Sequence, residues 1–223
     1  MPFAASNIVS IADLRQLLGE RFPEAPQPAG RHWETGWPAL DSDGGGIRRG
    51  AITELSGPAC GGALFLDRML AALEWRRAFA GLVDCGRSFD PGSYRGGSPE
   101  RLVCVFCDSA EQGVKAADLL LRDGNLPLVL LDLQALPLRS LDRIPASTWH
   151  RFQRLVENSG AAFVALTPRP MVEAARVRIA LHAEWNLDAL KRPRRELIDR
   201  LRVQIFHRGR AAGTASQPLV QTA

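Results

Sequence analysis

Gly57-Pro58-Ala59-Cys60-Gly61-Gly62-Ala63-Leu64 separates two stretches of different character. Before it, Ala51 to Ser56 reads as a strand. After it, Ala63 to Ala80 reads as a helix with an apolar stripe of Leu66, Met69, Leu70 and Leu73. A glycine-rich turn at a strand-to-helix junction is where the phosphate-binding loop G-x-x-x-x-G-K-[ST] sits. Gly57 and Gly62 fall on its two glycines. The pattern then fails, with Ala63 at the lysine position and Leu64 at the hydroxyl position. The lysine reaches the β- and γ-phosphates and the hydroxyl holds Mg²⁺. The stretch predicts a nucleotide-binding fold that keeps the loop's shape and has lost its chemistry. Loop amides and a helix N-terminus survive the loss of the lysine, but nucleotide affinity is expected to be poor and no cofactor is expected.

The chain has 223 residues, enough for one α/β domain or two small ones. No run approaches the roughly 20 apolar residues of a membrane span. The start, Met1 to Asn7, lacks the basic end and apolar run of a signal peptide, so a cytoplasmic location is expected. Net charge is +4, unevenly spread: residues 139–210 carry 15 basic and 7 acidic side chains, or +8, which leaves −4 for the rest. Such asymmetry suits a polyanion or an acidic partner, or an arginine-rich solvated surface.

Cys60, Cys85, Cys104 and Cys107 are the four cysteines. Cys104-Val-Phe-Cys107 has C-x-x-C spacing, but it lies in a strand-like run and no second pair with ligand spacing follows. Structural buried thiols are expected, and no metal site. No Ser/His/Asp or Cys/His set is evident; His150 and His207 stand alone in the sequence.

Along the chain, Ile8 to Phe22 reads as an amphipathic helix with Ile11, Leu14, Leu17 and Leu18 on one face. A Pro-rich linker, Pro23 to Gly30, follows. Strands are expected at 81–84, 102–107, 128–132 and 161–166, and helices at 110–122 and 148–159. Asp132 ends the apolar strand Leu128–Asp132, where a Walker B carboxylate sits. This alternation argues for a parallel sheet covered on both faces. Further on, Val177, Ile179, Leu181, Ala183, Trp185 and Leu187 alternate with Arg178, Ala180, His182, Glu184 and Asn186. Leu201, Val203 and Ile205 alternate with polar residues likewise. Both read as half-buried strands forming an antiparallel edge. Their outward set includes Arg178, Arg200 and Arg202, and the connection adds Lys191, Arg192, Arg194 and Arg195. These residues form a candidate surface for a partner or for phosphates. The organisation expected is an N-terminal helix and linker (1–30), an α/β core (31–208) and a flexible tail (209–223).

From Thr35 to Arg208 the chain resembles the RecA family. Thr35-Gly36, Leu40-Asp41 and the glycines before Gly50 resemble its lead-in, and Ile52 to Pro58 the approach to its phosphate loop. Leu82-Val83-Asp84-Cys85-Gly86-Arg87-Ser88-Phe89-Asp90-Pro91 resembles its second strand and turn. Asp108-Ser109-Ala110-Glu111-Gln112 resembles its third strand-to-helix junction, and Leu128–Asp132 its Walker B strand. The resemblance implies an α/β, RecA-like three-layer sandwich with a mainly parallel central sheet and an antiparallel C-terminal edge. It also implies that Gly86 occupies the place of the glutamate that activates water, that no Gln sensor follows Leu166, and that the second DNA loop is reduced to Arg169–Glu173. Together with Ala63 and Leu64, these departures predict a pseudo-ATPase with no catalytic residues.

Within the family the chain is most similar to ImuA-type accessories of translesion DNA synthesis. Leu14 to Pro23 and Ser147 to Leu155 carry that likeness. It implies a scaffold for error-prone polymerases expressed under DNA damage. Implied partners are an ImuB-like homologue of Y-family polymerases and an error-prone replicative-type polymerase, with RecA as a further candidate. At most weak DNA binding and no membrane contact are expected. Two other readings stand beside it: a weak RecA-like ATPase with Arg87 or Arg68 as substitute cation, and a SulA-like inhibitor of cell division.

Overall fold

The computed structural model describes residues 32–207, apart from 45, 95–98, 184 and 186. The expected N-terminal helix, with Ile11, Leu14, Leu17 and Leu18, and the expected tail both lie outside the described residues.

A hairpin of β1 (His32–Trp33) and β2 (Ile47–Arg48) flanks α1 (Pro38–Gly44). The central sheet holds β3 (Ala51–Ser56), β4 (Ala80–Asp84), β5 (Leu102–Phe106), β6 (Leu128–Asp132), β7 (Ala162–Thr167), β8 (Val177–His182) and β9 (Arg202–His207). Its order is β5-β4-β6-β7-β3-β8-β9, parallel throughout except for β9, which runs antiparallel to β8. Every residue of β3, β4, β6 and β7 is buried, as a parallel strand covered on both faces requires.

The helices follow from stop and start signals. α2 (Ala59–Arg76) begins after extended Pro58 and ends where Arg77 turns left-handed. α3 (Ala110–Asp123) is capped by Ser109, whose hydroxyl accepts from the Gln112 amide at 3.2 Å, and Gly124 ends it at φ +74°. A short α4 (Leu138–Leu141) precedes α5 (Ala146–Ser159), which ends at Gly160. Short α6 (Arg194–Ile198) lies between β8 and β9.

Two apolar layers enclose the sheet. On one face Leu55, Leu82, Leu130, Val164 and Ile179 meet Leu66, Met69, Leu70 and Leu73 of α2, with Trp37 and Leu40 of α1 and Ile198 of α6. On the other, Ile52, Val83, Leu131 and Phe163 meet Ala117 and Leu121 of α3 and Trp149, Phe152 and Val156 of α5. The three-layer α/β architecture and the antiparallel edge are as the sequence pattern implies.

Most boundaries shift by a residue or two, and three departures are larger. α2 spans 59–76, not 63–80, because Pro58 can start a helix but not continue one. β8 stops at His182; Leu187–Lys191 is a 3-10 turn, so the alternation through Ala183, Trp185 and Leu187 does not extend the strand. The basic connection is not an open loop, since Arg194 and Arg195 begin α6.

Candidate functional site

The carboxyl edge of the sheet gathers the ends of β3, β4, β6 and β7. β3 ends at Ser56, and only Gly57 and Pro58 separate it from α2. Gly57 holds φ +149°, and a Cβ there would stand 2.6 Å from the Leu181 carbonyl oxygen. Glycine is required by conformation and by close approach. The Gly61 amide donates to the Pro58 carbonyl at 2.9 Å, and Cys60, Gly61 and Gly62 are already helical. An anion cradle needs successive amides turned inward along an open loop. Here those residues are spent on a first helical turn. The expectation that the loop keeps its shape is corrected: shape and side chains are both changed.

The inner side of the turn is contacted by the chain itself, at Gly57, Gly61 and Gly62, while Pro58, Ala59 and Cys60 are exposed. Gln134, two residues beyond Asp132, donates its Nε2 to the Gly57 carbonyl at 3.0 Å. Its carboxamide lies against Gly62, where any Cβ would overlap Oε1. Leu181 packs against the other side, so that a Cβ on Gly61 would meet its Cδ1 at 3.0 Å. Leu64 is buried in the core layer under α2. Thus the glycines admit Gln134 and Leu181. Neither residue stands out in the sequence; the only signal for Gln134 is a polar side chain just past a strand-end carboxylate.

Asp132 lies on the same edge, with β7 between it and the glycine turn. It stands in register with Asp84 of β4. Burial pushes the Asp132 carboxyl up to about 6; the Gln134 amide bond opposes this and the Asp84 charge adds to it. Its Oδ1 accepts from the Gln134 amide at 2.9 Å. Asp84 accepts from the Gly86 amide at 2.9 Å and the Phe89 amide at 2.8 Å, and so shapes the turn that follows β4. Gly86, at the glutamate position, faces Ala135: a Cβ there would overlap the Ala135 methyl. The substitute cation Arg87 donates to Asp108 at 2.7 Å.

Cys85 and Cys107 are buried neighbours, and burial first, then the adjoining thiol and carboxylates, pushes Cys85 up to about 12. Cys104 is half-buried, raised to about 11 by burial. Cys60 is exposed in the first turn of α2, which corrects its expected burial. Among the described residues no group of three or more His, Cys, Asp or Glu is placed to hold a metal, and no helix is long and apolar enough to cross a membrane.

The predicted basic surface is less open than its spacing implied. Arg178 donates from Nε to Glu54 at 3.0 Å and from Nη2 to the Val172 carbonyl at 3.0 Å. Glu54, wholly buried in β3, also accepts from the Val172 amide at 2.9 Å and from the Thr167 hydroxyl at 3.2 Å. Arg178 is therefore a fastening of β8 and the 168–176 connection, not a free surface cation. Lys191 pairs with Asp188 at 3.1 Å and Arg192 with Glu196 at 3.8 Å. Arg194 lies over the Tyr94 ring at 4.4 Å, donates to the Ser93 hydroxyl at 3.0 Å and faces Asp67 at 3.7 Å. Arg195 sits in the same helix. Arg200 and Arg202 are exposed.

No protein-family model matches the chain. In sequence it is similar to RecA of Thermus thermophilus, 30% identical over 149 residues, which is 66% of this chain and 40% of that protein. It is also similar to RecA of Clostridium botulinum (strain Eklund 17B / Type B), 31% identical over 91 residues, which is 40% of this chain and 26% of that protein. The chain thus spans less than half the length of these curated relatives. Among solved structures it is similar to the RadB recombinase, with a TM-score of 0.54 and 16% identity, covering 67% of this chain and 82% of that one. At that identity the likeness is one of fold.

Proposed function

We propose, from its similarity to RecA in sequence and to the RadB recombinase in fold, that this chain is a non-catalytic accessory protein of damage-induced mutagenesis, a scaffold for error-prone polymerase components. The observation that carries the non-catalytic half is the glycine turn closed from within. Ala63 and Leu64 lie in a helix, Gln134 is bonded to the Gly57 carbonyl, and Ala135 fills the space that a side chain at 86 requires. Ala63, Leu64 and Gly86 stand where the resemblance puts the side chains that contact phosphate, hold Mg²⁺ and activate water, and this supports the reading.

The accessory half rests on the resemblance of Ser147–Leu155 and Leu14–Pro23 to ImuA-type proteins. The reduced connection at 168–176 supports it as well. Glu54 and Arg178 tie that connection down, in place of the second DNA loop that the family resemblance puts here. A chain without that loop suits contact with proteins more than with DNA. The proposed partners are an ImuB-like homologue of Y-family polymerases, an error-prone replicative-type polymerase, and RecA. The test is recovery of partners on the native chain from cells with damaged DNA, against undamaged cells. Polymerase components in the damage-dependent fraction are expected. A division protein in their place supports the SulA-like reading instead.

A further inference from the structure

On the sheet face that carries α3 and α5, no helix among the described residues covers the two strands beyond β3. The outward residues of β8 and β9 there are half-exposed or exposed. Register places Arg178 opposite Phe206, Ala180 opposite Gln204, and His182 opposite Arg202. None of the six is acidic. One side of this shelf is walled by the 168–176 connection. The other side is β9, which ends the sheet and pairs only with β8 among the described residues.

We propose that this shelf receives an extended, acidic peptide segment of a partner protein, which adds to β9 as an eighth strand. The proposal rests on the accessory reading above and gives that partner its chemistry and its place. An edge strand offers main-chain donors and acceptors that only another polypeptide strand completes. Phe206, on β9 and 47% exposed, supplies an aromatic surface for one side chain of the incoming segment. Arg202 supplies charge.

Charge accounting decides between a peptide and a nucleic acid. Arg178 is matched by Glu54, Arg176 by Glu157 and Arg169 by Asp142. Arg200 and Arg202 have no ion-pair partner among the described residues. Nucleic-acid affinity rests mainly on several Lys and Arg contacts to phosphates. Arg202 is the shelf's own unmatched cation and Arg200 precedes it by two residues, which suits a segment with a few carboxylates.

The test uses the full chain and a labelled synthetic peptide alternating glutamate with leucine and phenylalanine. Its lysine counterpart and a single-stranded oligonucleotide of equal length are the controls, all followed by fluorescence anisotropy. We expect the acidic peptide to bind and the lysine peptide not to. Arg202→Glu and Phe206→Ser should each weaken binding tenfold or more, with circular dichroism unchanged because both side chains are exposed. Should Arg202→Glu perturb the fold, Arg202→Gln is read in its place. Amides of Arg202–His207 should exchange more slowly in the complex. Absent peptide binding, unchanged affinity in both variants, protection confined to other strands, or tighter binding of the oligonucleotide would each overturn the proposal. ATP titration of the same sample is read separately. A chain that binds ATP yet keeps the peptide profile loses the non-catalytic reading and keeps the shelf.

Discussion

The Gln134 side chain and the Gly57 carbonyl meet at 3.0 Å across 77 residues of sequence. This bond joins the end of β6 to the turn after β3, two strands apart in the sheet. It sets a neutral carboxamide against the glycine turn that matches the phosphate-loop pattern. Isothermal calorimetry with ATP and Mg²⁺ should therefore detect no micromolar binding. The double change Ala63→Lys with Leu64→Thr is expected to restore none, although the sequence alone predicts that some binding returns. Leu64 is core, and its loss costs roughly 2–3 kcal/mol before any phosphate contact forms. A micromolar dissociation constant for either protein contradicts the closed-turn account.

Gly86 and Ala135 give a second, independent obstacle. A Cβ on residue 86 overlaps the Ala135 methyl, so Gly86→Glu must shift the loop after β6. It should lower the melting temperature by several degrees, from roughly 1–3 kcal/mol of overpacking, and yield no phosphate release above background. Full stability in Gly86→Glu would show that the loop gives way easily and that sterics do not exclude a glutamate.

The Asp132 carboxyl makes a pH prediction. Its pKa is raised to about 6 by burial, above the ordinary value of 3.8 that it regains on unfolding. The native state then binds the extra proton between about pH 4 and pH 6, so this group favours folding below that window and opposes it above. At 1.36 kcal/mol per pKa unit the swing is at most ~3 kcal/mol. Asp132→Asn keeps an acceptor for the Gln134 amide and removes the charge. It should be more stable than the parent at pH 8, and the difference should shrink as pH falls to 4. Urea midpoints for both proteins across that range measure it. A parent that gains on the variant as pH rises has an ionised Asp132 stabilised by something else.

How much of this was legible beforehand follows from the physics of each part. Buried parallel strands write themselves as apolar runs, so β3, β4, β6 and β7 could be read almost residue by residue. The period of two in Val177–Leu181 and in Val203–Ile205 marked β8 and β9. The glycine turn could be matched to a pattern, but its conformation could not. Whether Ala59–Gly62 arches or coils depends on Leu181 and Gln134, which reach it from remote strands. The arginines misled for a related reason. Alternation says which face a side chain leaves from, not what it finds there. Arg178 finds Glu54 because β3 and β8 are neighbours, a long-range fact absent from local spacing.

Glu54 and Arg178 should behave as a coupled pair. Glu54 is fully buried while the Arg178 side chain is 43% exposed. Glu54→Ala removes the acceptor of Arg178, Thr167 and the Val172 amide together, and should cost about 3 kcal/mol or more. Arg178→Ala leaves a buried carboxylate that keeps its other donors, and should cost about 2 kcal/mol. The double variant should be less destabilised than the sum, with a coupling of roughly 1–2 kcal/mol in guanidinium unfolding. Additive losses would mean that the two side chains stabilise the fold separately.

The basic connection before β9 divides into a fastening and a solvated surface. Arg194 stacks on Tyr94, bonds Ser93 and faces Asp67, so it ties α6 to the turn after β4 and to α2. Its guanidinium is flat and spans three partners, which an ammonium cannot match. Arg194→Ala should cost about 1–2 kcal/mol, a fall of several degrees in melting temperature, and Arg194→Lys should recover little of it. Lys191 and Arg192 make only exposed pairs within a turn or two, worth little. Lys191→Ala and Arg192→Ala should shift the melting temperature by less than about 1 °C. A triple change of Arg192, Arg194 and Arg195 to Ala therefore mixes loss of fold with loss of charge. Partner recovery on that triple variant has meaning only beside Arg194→Ala alone. If the single change leaves thermal unfolding untouched, Arg194 is not a fastening. The whole segment then returns to the role of a charged surface, and the triple variant can be read directly as a test of partner binding.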